Sequence, residues 1–488
     1  MTLFDFSTSD FFKKVIQGTF WISIGSILSK GLLFFASIIL ARILSILEYG
    51  EYSMVKSTID SFLVFASMGI GLTTTKYISE LKDFDKENTS SLIGAAISLV
   101  LILSILIATL VIVFSKDITI RLLNNSSIQI PLIIGSFSLV FIAINSTQMG
   151  ALLGMQSYKQ TSISNLIRGV LMFFGLCVGG YLYGVTGALT GNLIALVLVT
   201  FVLQALLRSE AKKIDVFINL ENWKSSVKKI YKFALPASLS SIIIAPSIWI
   251  LNTILVNQTN GYEELGLFNA VLIFILAIQM FNGSINEVLL PLFLSRTEKL
   301  SVNAEFFNYY GPWIISIILS LPLIIYPEII LLILGSKYDD GLVTAILSIC
   351  ILYTLITSSK GGISRDLIMK NKMWLSVLSM GQCYMTILIA FYFLKDHGAI
   401  GLALSFLIGF VTNYILFLPF FIQKKISPSH IFYNRWVWIV WGIILTLITV
   451  NQITFIGYVY RIFITTFLVI SLFLAIVFLY KKTTKEAL

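Results

Sequence analysis

Lys30 stands inside an unbroken apolar run, residues 15–41, about 14 residues from its start. In a helix that places the ammonium roughly 21 Å along the axis, at 1.5 Å per residue. A charge so deep in hydrocarbon costs at least a few kcal/mol on insertion scales, so it needs a partner, water or a ligand. Thr19, Ser23, Ser26 and Ser37 share its helical face, while the rest of the run is largely Leu, Ile and Phe. Two chemistries fit such a stripe. One is a close-packed seam that uses serines as small residues. The other is one wall of a hydrated cavity carrying positive charge.

Three further runs repeat the pattern. In the second, Ser53, Lys56, Ser57 and Asp60 share a face, and Lys56 and Asp60 are spaced to neutralise each other. In the eighth, Gln279, Asn282, Gly283 and Asn286 fall together, with Glu287 at their edge. The seventh carries Ser238, Ser241 and Asn252, and its Pro236 and Pro246 free backbone carbonyls and permit bending. Arg168 lies one turn into the fifth run, as a cavity cation or as an anchor at the inner membrane surface; Arg42 ends the first. The cations Lys30, Arg42, Lys56 and Arg168 outnumber Asp60 and Glu287, the two carboxylates expected inside spans. Such a balance suits an anionic ligand held by charge-assisted hydrogen bonds. The expected binding set is therefore Lys30, Arg42, Lys56, Ser26, Asn252, Gln279, Asn282, Asn286 and Arg168, with Asp60 and Glu287 as possible coupling groups.

The elements that position these residues follow from composition. The 488 residues are 57% hydrophobic and 12% charged, where soluble domains are about a quarter charged. Lipid must cover that apolar surface, so the class is an all-α multi-pass membrane protein. Apolar runs fall near 15–41, 52–75, 91–114, 128–152, 163–183, 186–207, 233–257, 265–292, 309–334, 342–359, 374–394, 398–422, 435–456 and 460–480, about 14 transmembrane helices. The first is too long for a signal peptide core and is expected to be retained. Lysines and arginines crowd alternate connections, most densely at 208–232, which predicts both termini in the cytoplasm and accounts for most of the net charge of +10 without nucleic acid. The three cysteines lie in apolar runs without metal spacing, and the two histidines lie in loops. No disulfide framework, metal site or cofactor is expected.

The stretch "LARILSILEYGEYSMV" recurs. Shifted by 216 positions it overlies "VNQTNGYEELGLFNAV", matching Glu48 to Glu264, Gly50 to Gly266 and Val55 to Val271. At a shift of 214, "YGVTGAL" overlies "HGAIGLA", matching Gly184 and Gly187 to Gly398 and Gly401. These landmarks predict two parallel six-helix repeats: an N-terminal lobe 1–207, a basic linker 208–232, a C-terminal lobe 233–422, and two extra helices with a tail, 423–488. Transporters with such halves bind substrate between them and alternate access by rocking. Gly50 and Gly266 are expected to allow an external turn, and Glu48 and Glu51 only to mark it. Arg42 has the uncharged Gln258 as its repeat partner, which makes it a candidate outer contact.

Four motifs carry a resemblance: "ILARILSILEYGEYSMV", "GIGLTTTKYISE" (69–80), "GALLGMQSYKQTSISNLIRGV" (150–170) and "LLILGSKYDDG" (331–341). In order and spacing the chain resembles the polysaccharide-transporter (Wzx-type) flippases of the multidrug/oligosaccharidyl-lipid/polysaccharide exporter superfamily. One departure is Leu47, where a proline usually precedes Glu-Tyr-Gly. The resemblance implies a V-shaped two-lobe transporter, not an enzyme, in the bacterial cytoplasmic membrane. It implies a cargo, an undecaprenyl-diphosphate-linked oligosaccharide bound for surface polysaccharide such as O-antigen, lipopolysaccharide or capsule. Expected partners are membrane lipid and, beyond a monomer, a polysaccharide polymerase and a chain-length regulator. Two rivals stand beside this: a cation-coupled multidrug exporter of the same superfamily, which would want more acidic lobes, and a membrane polymerase or ligase, which would want a large external catalytic loop.

Overall fold

The computed structural model describes residues 10–217, 219, 223–294, 302–338, 341–370, 372–428, 433–452 and 458–486. The side chains of Thr19, Pro236, Asn286 and Glu287 lie outside the described residues, and the expectations placed on them go no further here. Every long element is helical. Eleven helical stretches are long and apolar enough to cross a membrane. Two of these, at 56 and 51 residues, are each long enough to cross twice, and a shorter apolar stretch at Ser241–Val256 completes the expected fourteen. By packing, the chain divides into Met1–Gly266 and Leu267–Leu488.

The first unit contains α1 (Asp10–Ile43), α2 (Ile46–Ser67), α3 (Ile70–Leu81), α4 (Lys86–Val113), α5 (Gln129–Gly154), α6 (Tyr158–Lys213) and α7 (Trp223–Val256), with the start of α8 (Gly261–Leu294). Its helices are apolar outside and small or hydroxylated inside. On α4, Ile102, Ile105 and Leu106 are exposed, while Ser90, Ser91, Ala95 and Ala96 are buried. With lipid as the solvent, close backbone approach over small residues is what holds helices together. Helix starts are capped by sequence. Asp85 accepts the Asn88 backbone N–H (3.0 Å) and side-chain amide (2.6 Å), which hold its carboxyl below the usual carboxylate range.

The break between α1 and α2 lies earlier than hydropathy suggests. Ser45 caps α2 in a reciprocal box: its N–H donates to Glu48 Oε2 (2.8 Å) and the Glu48 N–H donates to Ser45 Oγ (3.2 Å). Gly50 is therefore inside α2, and Gly266 inside α8, and neither makes a turn. A β-carbon on Gly50 would lie 1.8 Å from the Tyr262 carbonyl oxygen, and one on Gly266 2.2 Å from the Ile46 carbonyl oxygen. Ile46 and Tyr262 are themselves related by the shift of 216. The two glycines serve a reciprocal backbone contact, which corrects the turn role. Nor do the carboxylates merely mark a loop. Glu51 accepts Asn125 Nδ2 (2.8 Å) and Ser127 Oγ (2.6 Å), fastening the connection that follows α4.

The repeat is visible in the backbone. α6 is two helices broken at Tyr183 and Gly184, where Gly184 has φ +57° and ψ −137°. Its predicted counterpart Gly398, between α13 (Met373–Leu394) and α14 (Gly398–Gln423), has φ +53° and ψ −132°. Three residues on, Gly187 and Gly401 each let a carbonyl approach to about where a β-carbon would sit.

The second unit holds the rest of α8, then α9 (Val302–Ile325), α10 (Ile329–Leu334), α11 (Leu342–Ser359), α12 (Gly361–Met369), α13, α14, α15 (Arg435–Gln452) and α16 (Tyr458–Glu486). The last two helices dock on α9 through Trp313 against Trp441 (5.5 Å between ring centroids) and Phe306 against Tyr480 (5.1 Å).

Candidate functional site

In the first unit, α1 and α6 touch along a seam of small residues. A β-carbon on Gly25 would meet Ser162 Oγ at 2.4 Å, and one on Gly169 would meet Ser29 Cα at 2.7 Å. Lys30 and Arg168 are the chain neighbours of that second contact, so it brings two intramembrane cations to one level. Lys30 is half-buried. The Arg168 Nε is enclosed and has no hydrogen-bond partner among the described residues. An enclosed guanidinium N–H without an acceptor is a donor ready for an anion. Ser26 is buried beside this seam, whereas Ser37 spends its hydroxyl on the Leu33 carbonyl of its own helix (2.9 Å). Arg42 is exposed in the last turn of α1, where a cation also complements the helix dipole.

The other expected contacts divide. Lys56 donates to Asp60 at 3.3 Å, an accessible ion pair on α2. Asn252 donates to Ser57 Oγ (2.9 Å), and beside it Trp249 Nε1 donates to Thr58 Oγ1 (3.0 Å), joining α7 to α2. Asn282 donates to both Ser316 Oγ and Ser358 Oγ, each at 2.7 Å, knitting α8, α9 and α11. These two amides act as interhelical fasteners in this structure. Gln279 is half-buried on α8, and Pro246 is half-buried within an unbroken α7.

Sequence reasoning missed the charged interior of the second unit. It ended a helix at Ser359 and took "KGGISRD" as a cytoplasmic loop; instead α12 continues the span to Met369. Arg365 and Asp366 are 2% and 4% exposed. The Arg365 Nε donates to Asn308 Oδ1 (2.6 Å), and the Tyr309 hydroxyl donates to Asp366 Oδ2. Asp60 and Glu287 are therefore not the only carboxylates within spans. Two glycines and three charges lowered the hydropathy there, and the partners of Arg365 and Asp366 are distant in sequence. The amide Asn413 in an otherwise apolar run was a signal only for Lys360, which donates to it. No group of three or more metal-ligating side chains occurs among the described residues.

With this geometry in hand, the chain can be set beside known proteins. Residues 15–297 match the family described as polysaccharide biosynthesis protein. No curated protein matches the chain. Among solved structures, the lipid II flippase MurJ in an inward closed conformation is 16% identical, with a TM-score of 0.69, over 94% of this chain and 99% of that one. An inward-facing multidrug resistance MATE transporter of the MOP superfamily is 15% identical, TM-score 0.66, over 82% and 94%. A MOP superfamily transporter from Pyrococcus furiosus Vc1, described as having a binding pocket of reverse polarity, is 15% identical, TM-score 0.61, over 86% and 96%. At these identities the likeness is one of fold.

Proposed function

The chain belongs to the polysaccharide biosynthesis protein family, and from that premise we propose that it is a flippase for a lipid-linked oligosaccharide, with an undecaprenyl diphosphate carrier, in the bacterial cytoplasmic membrane. The carrying observation is that the family match spans residues 15–297, the part of the chain that holds Lys30, Arg42, Lys56 and Arg168. In this reading the diphosphate is held by Lys30 and Arg168, and hydroxyl and amide side chains such as Ser26 and Gln279 meet the sugars. Charge-assisted bonds to phosphate oxygens are the strong contacts; sugar contacts are many and individually weak. Arg42, at the end of α1, receives the diphosphate as it leaves. The two repeats, 1–207 and 233–422, rock about the site to alternate access. The fold shared with a lipid II flippase supports a lipid-linked cargo. The docked pair α15 and α16 offers a cavity of about 480 Å³ beside Ile325, Asn451 and Thr465, suited to part of an apolar tail. The product is passed to a polymerase and its chain-length regulator, with the flippase acting as a monomer.

The test is genetic. Deleting the gene while keeping the glycosyltransferases traps lipid-linked glycan on the inner leaflet. Glycan that still reaches the surface, in cells with no second flippase, overturns the reading. In complemented cells, Lys30→Gln and Arg168→Gln each lower export about tenfold at equal protein level, the worth of one hydrogen bond to a charged group. A broad gain of drug resistance on overexpression would instead favour the multidrug exporter.

A further inference from the structure

Lys360 of the second unit is used by none of this. It joins α11 to α12 within the span 342–369, and its Nζ donates to Asn413 Oδ1 of α14. Asn413 is 1% exposed and firmly oriented. Its Nδ2 donates to the Ser379 carbonyl oxygen (2.7 Å) and Gln382 Oε1 (2.8 Å), and Ser379 Oγ donates to its Oδ1 (3.3 Å). A main-chain carbonyl only accepts, so the amide nitrogen is fixed there and its oxygen is turned to the lysine.

The lysine's charge has no counter-charge. Lys56, Lys86 and Lys213 pair with Asp60, Asp215 and Glu210, but among the described residues no carboxylate reaches Lys360. The ionisable group that faces it is the Cys383 thiol on α13. An ammonium has three donors, and Asn413 takes one. An uncompensated charge within a span is expensive, and such a residue marks a site. A small pocket with about 20 Å³ of room adjoins it, lined by Lys360, Ser364, Ser376, Ser379, Asn413 and Phe417. That is room for one particle the size of a water. Of the flanking hydroxyls, Ser364 makes one long bond, 3.4 Å, to the Lys360 carbonyl, while the half-buried Ser376 lines the pocket from α13.

We propose that this cavity binds a single monatomic anion of the chloride class, held by Lys360 Nζ with Ser376 Oγ as second donor. The anion supplies the missing counter-charge. The proposal does not depend on the flippase reading.

The experiment uses the purified full-length protein in detergent. Its thermal midpoint is measured against sodium bromide, with sodium gluconate holding ionic strength constant, and crystals grown in bromide are examined for anomalous scattering. The expected result is a saturable rise of the midpoint with bromide or chloride and an anomalous peak beside Lys360 Nζ. Phosphate gives no such rise, and Lys360→Gln abolishes the bromide response. Ser376→Ala, which keeps the lysine, shifts the half-saturating bromide concentration upward about tenfold. It also carries the test if Lys360→Gln is not recovered folded. A midpoint indifferent to halide, a response to phosphate alone, or one that survives Lys360→Gln overturns the proposal. So does an unchanged half-saturating concentration in Ser376→Ala.

Discussion

Asn308 shows how this protein keeps charge inside a membrane span. Its side-chain oxygen accepts from the Arg365 guanidinium at 2.6 Å and its own carbonyl accepts a second bond, while Tyr309, the next residue, donates to Asp366. One turn of α9 thereby satisfies two adjacent buried charges on α12. Removing the amide leaves a guanidinium N–H without an acceptor in a site that water does not reach. Asn308→Ala is expected to destabilise the protein by about 1–3 kcal/mol, read as a lowered thermal midpoint in detergent. Asn308→Asp, which keeps an acceptor and adds a counter-charge, should lose less; an equal loss would mean that packing, not the hydrogen bond, sets the cost. The contrast with the first unit explains what could be read in advance. Lys30 stands out because it interrupts apolar residues that cannot be mistaken for a loop, whereas Arg168 follows a polar stretch and could be read as a surface anchor. Arg365 and Asp366 follow two glycines and a lysine, and nothing local says that Asn308 and Tyr309, more than fifty positions upstream, will meet them.

At the scale of elements, the informative features are the breaks. Met68 and Gly69 are both left-handed, with φ of +40° and +67°, so one span is divided into α2 and α3. Hydropathy passes over such a break because it sums side chains and is blind to dihedrals. It also placed the start of α2 too late, since it could not weigh the Ser45–Glu48 box against the charges around it. The internal repeat succeeded where hydropathy failed. Gly184 and Gly398, paired on the sequence alone, adopt backbone angles within a few degrees of each other. Such angles belong to a region essentially reserved for glycine, where another residue costs about 1–3 kcal/mol. Gly184→Ala and Gly398→Ala should therefore produce losses of similar size in thermal stability, whereas Gly442→Ala, a helical glycine with open space where the β-carbon would go, should be close to neutral. Unequal losses at the paired sites would mean that the surroundings of the two hairpins, rather than their shared geometry, control the cost. The reciprocal contact of Gly50 and Gly266 belongs to the same class: its position was legible, but its purpose was not, because close approach depends on which backbone lies opposite.

For the whole molecule, the testable consequence is its orientation. If the apolar runs make fourteen crossings, an even number, the two termini share a side. Lys86, Asp215 and the Glu210–Lys213 pair then lie at one membrane surface with them, and Glu51, Asn125, Ser127 and Asp117 at the other. Cations prefer the cytoplasmic side because translocating them is costly, and on that count the basic stretch 208–232 is expected on the same side as the termini. Orientation and helix count can thus be checked together. The cysteines Cys177, Cys350 and Cys383 all lie within helices and are replaced by alanine or serine, provided that export is retained. Single cysteines are then placed at Lys116, Asn219 and Lys395. An impermeant maleimide applied to intact cells should label Lys116→Cys and Lys395→Cys at once, and Asn219→Cys only after the membrane is opened. Labelling of all three from outside would reveal an uncounted crossing. The reverse pattern would invert the molecule and place the end of α1, with Arg42, in the cytoplasm; Arg42 would then meet the diphosphate on entry rather than on release, and the order of contacts in the transport cycle would have to be reversed.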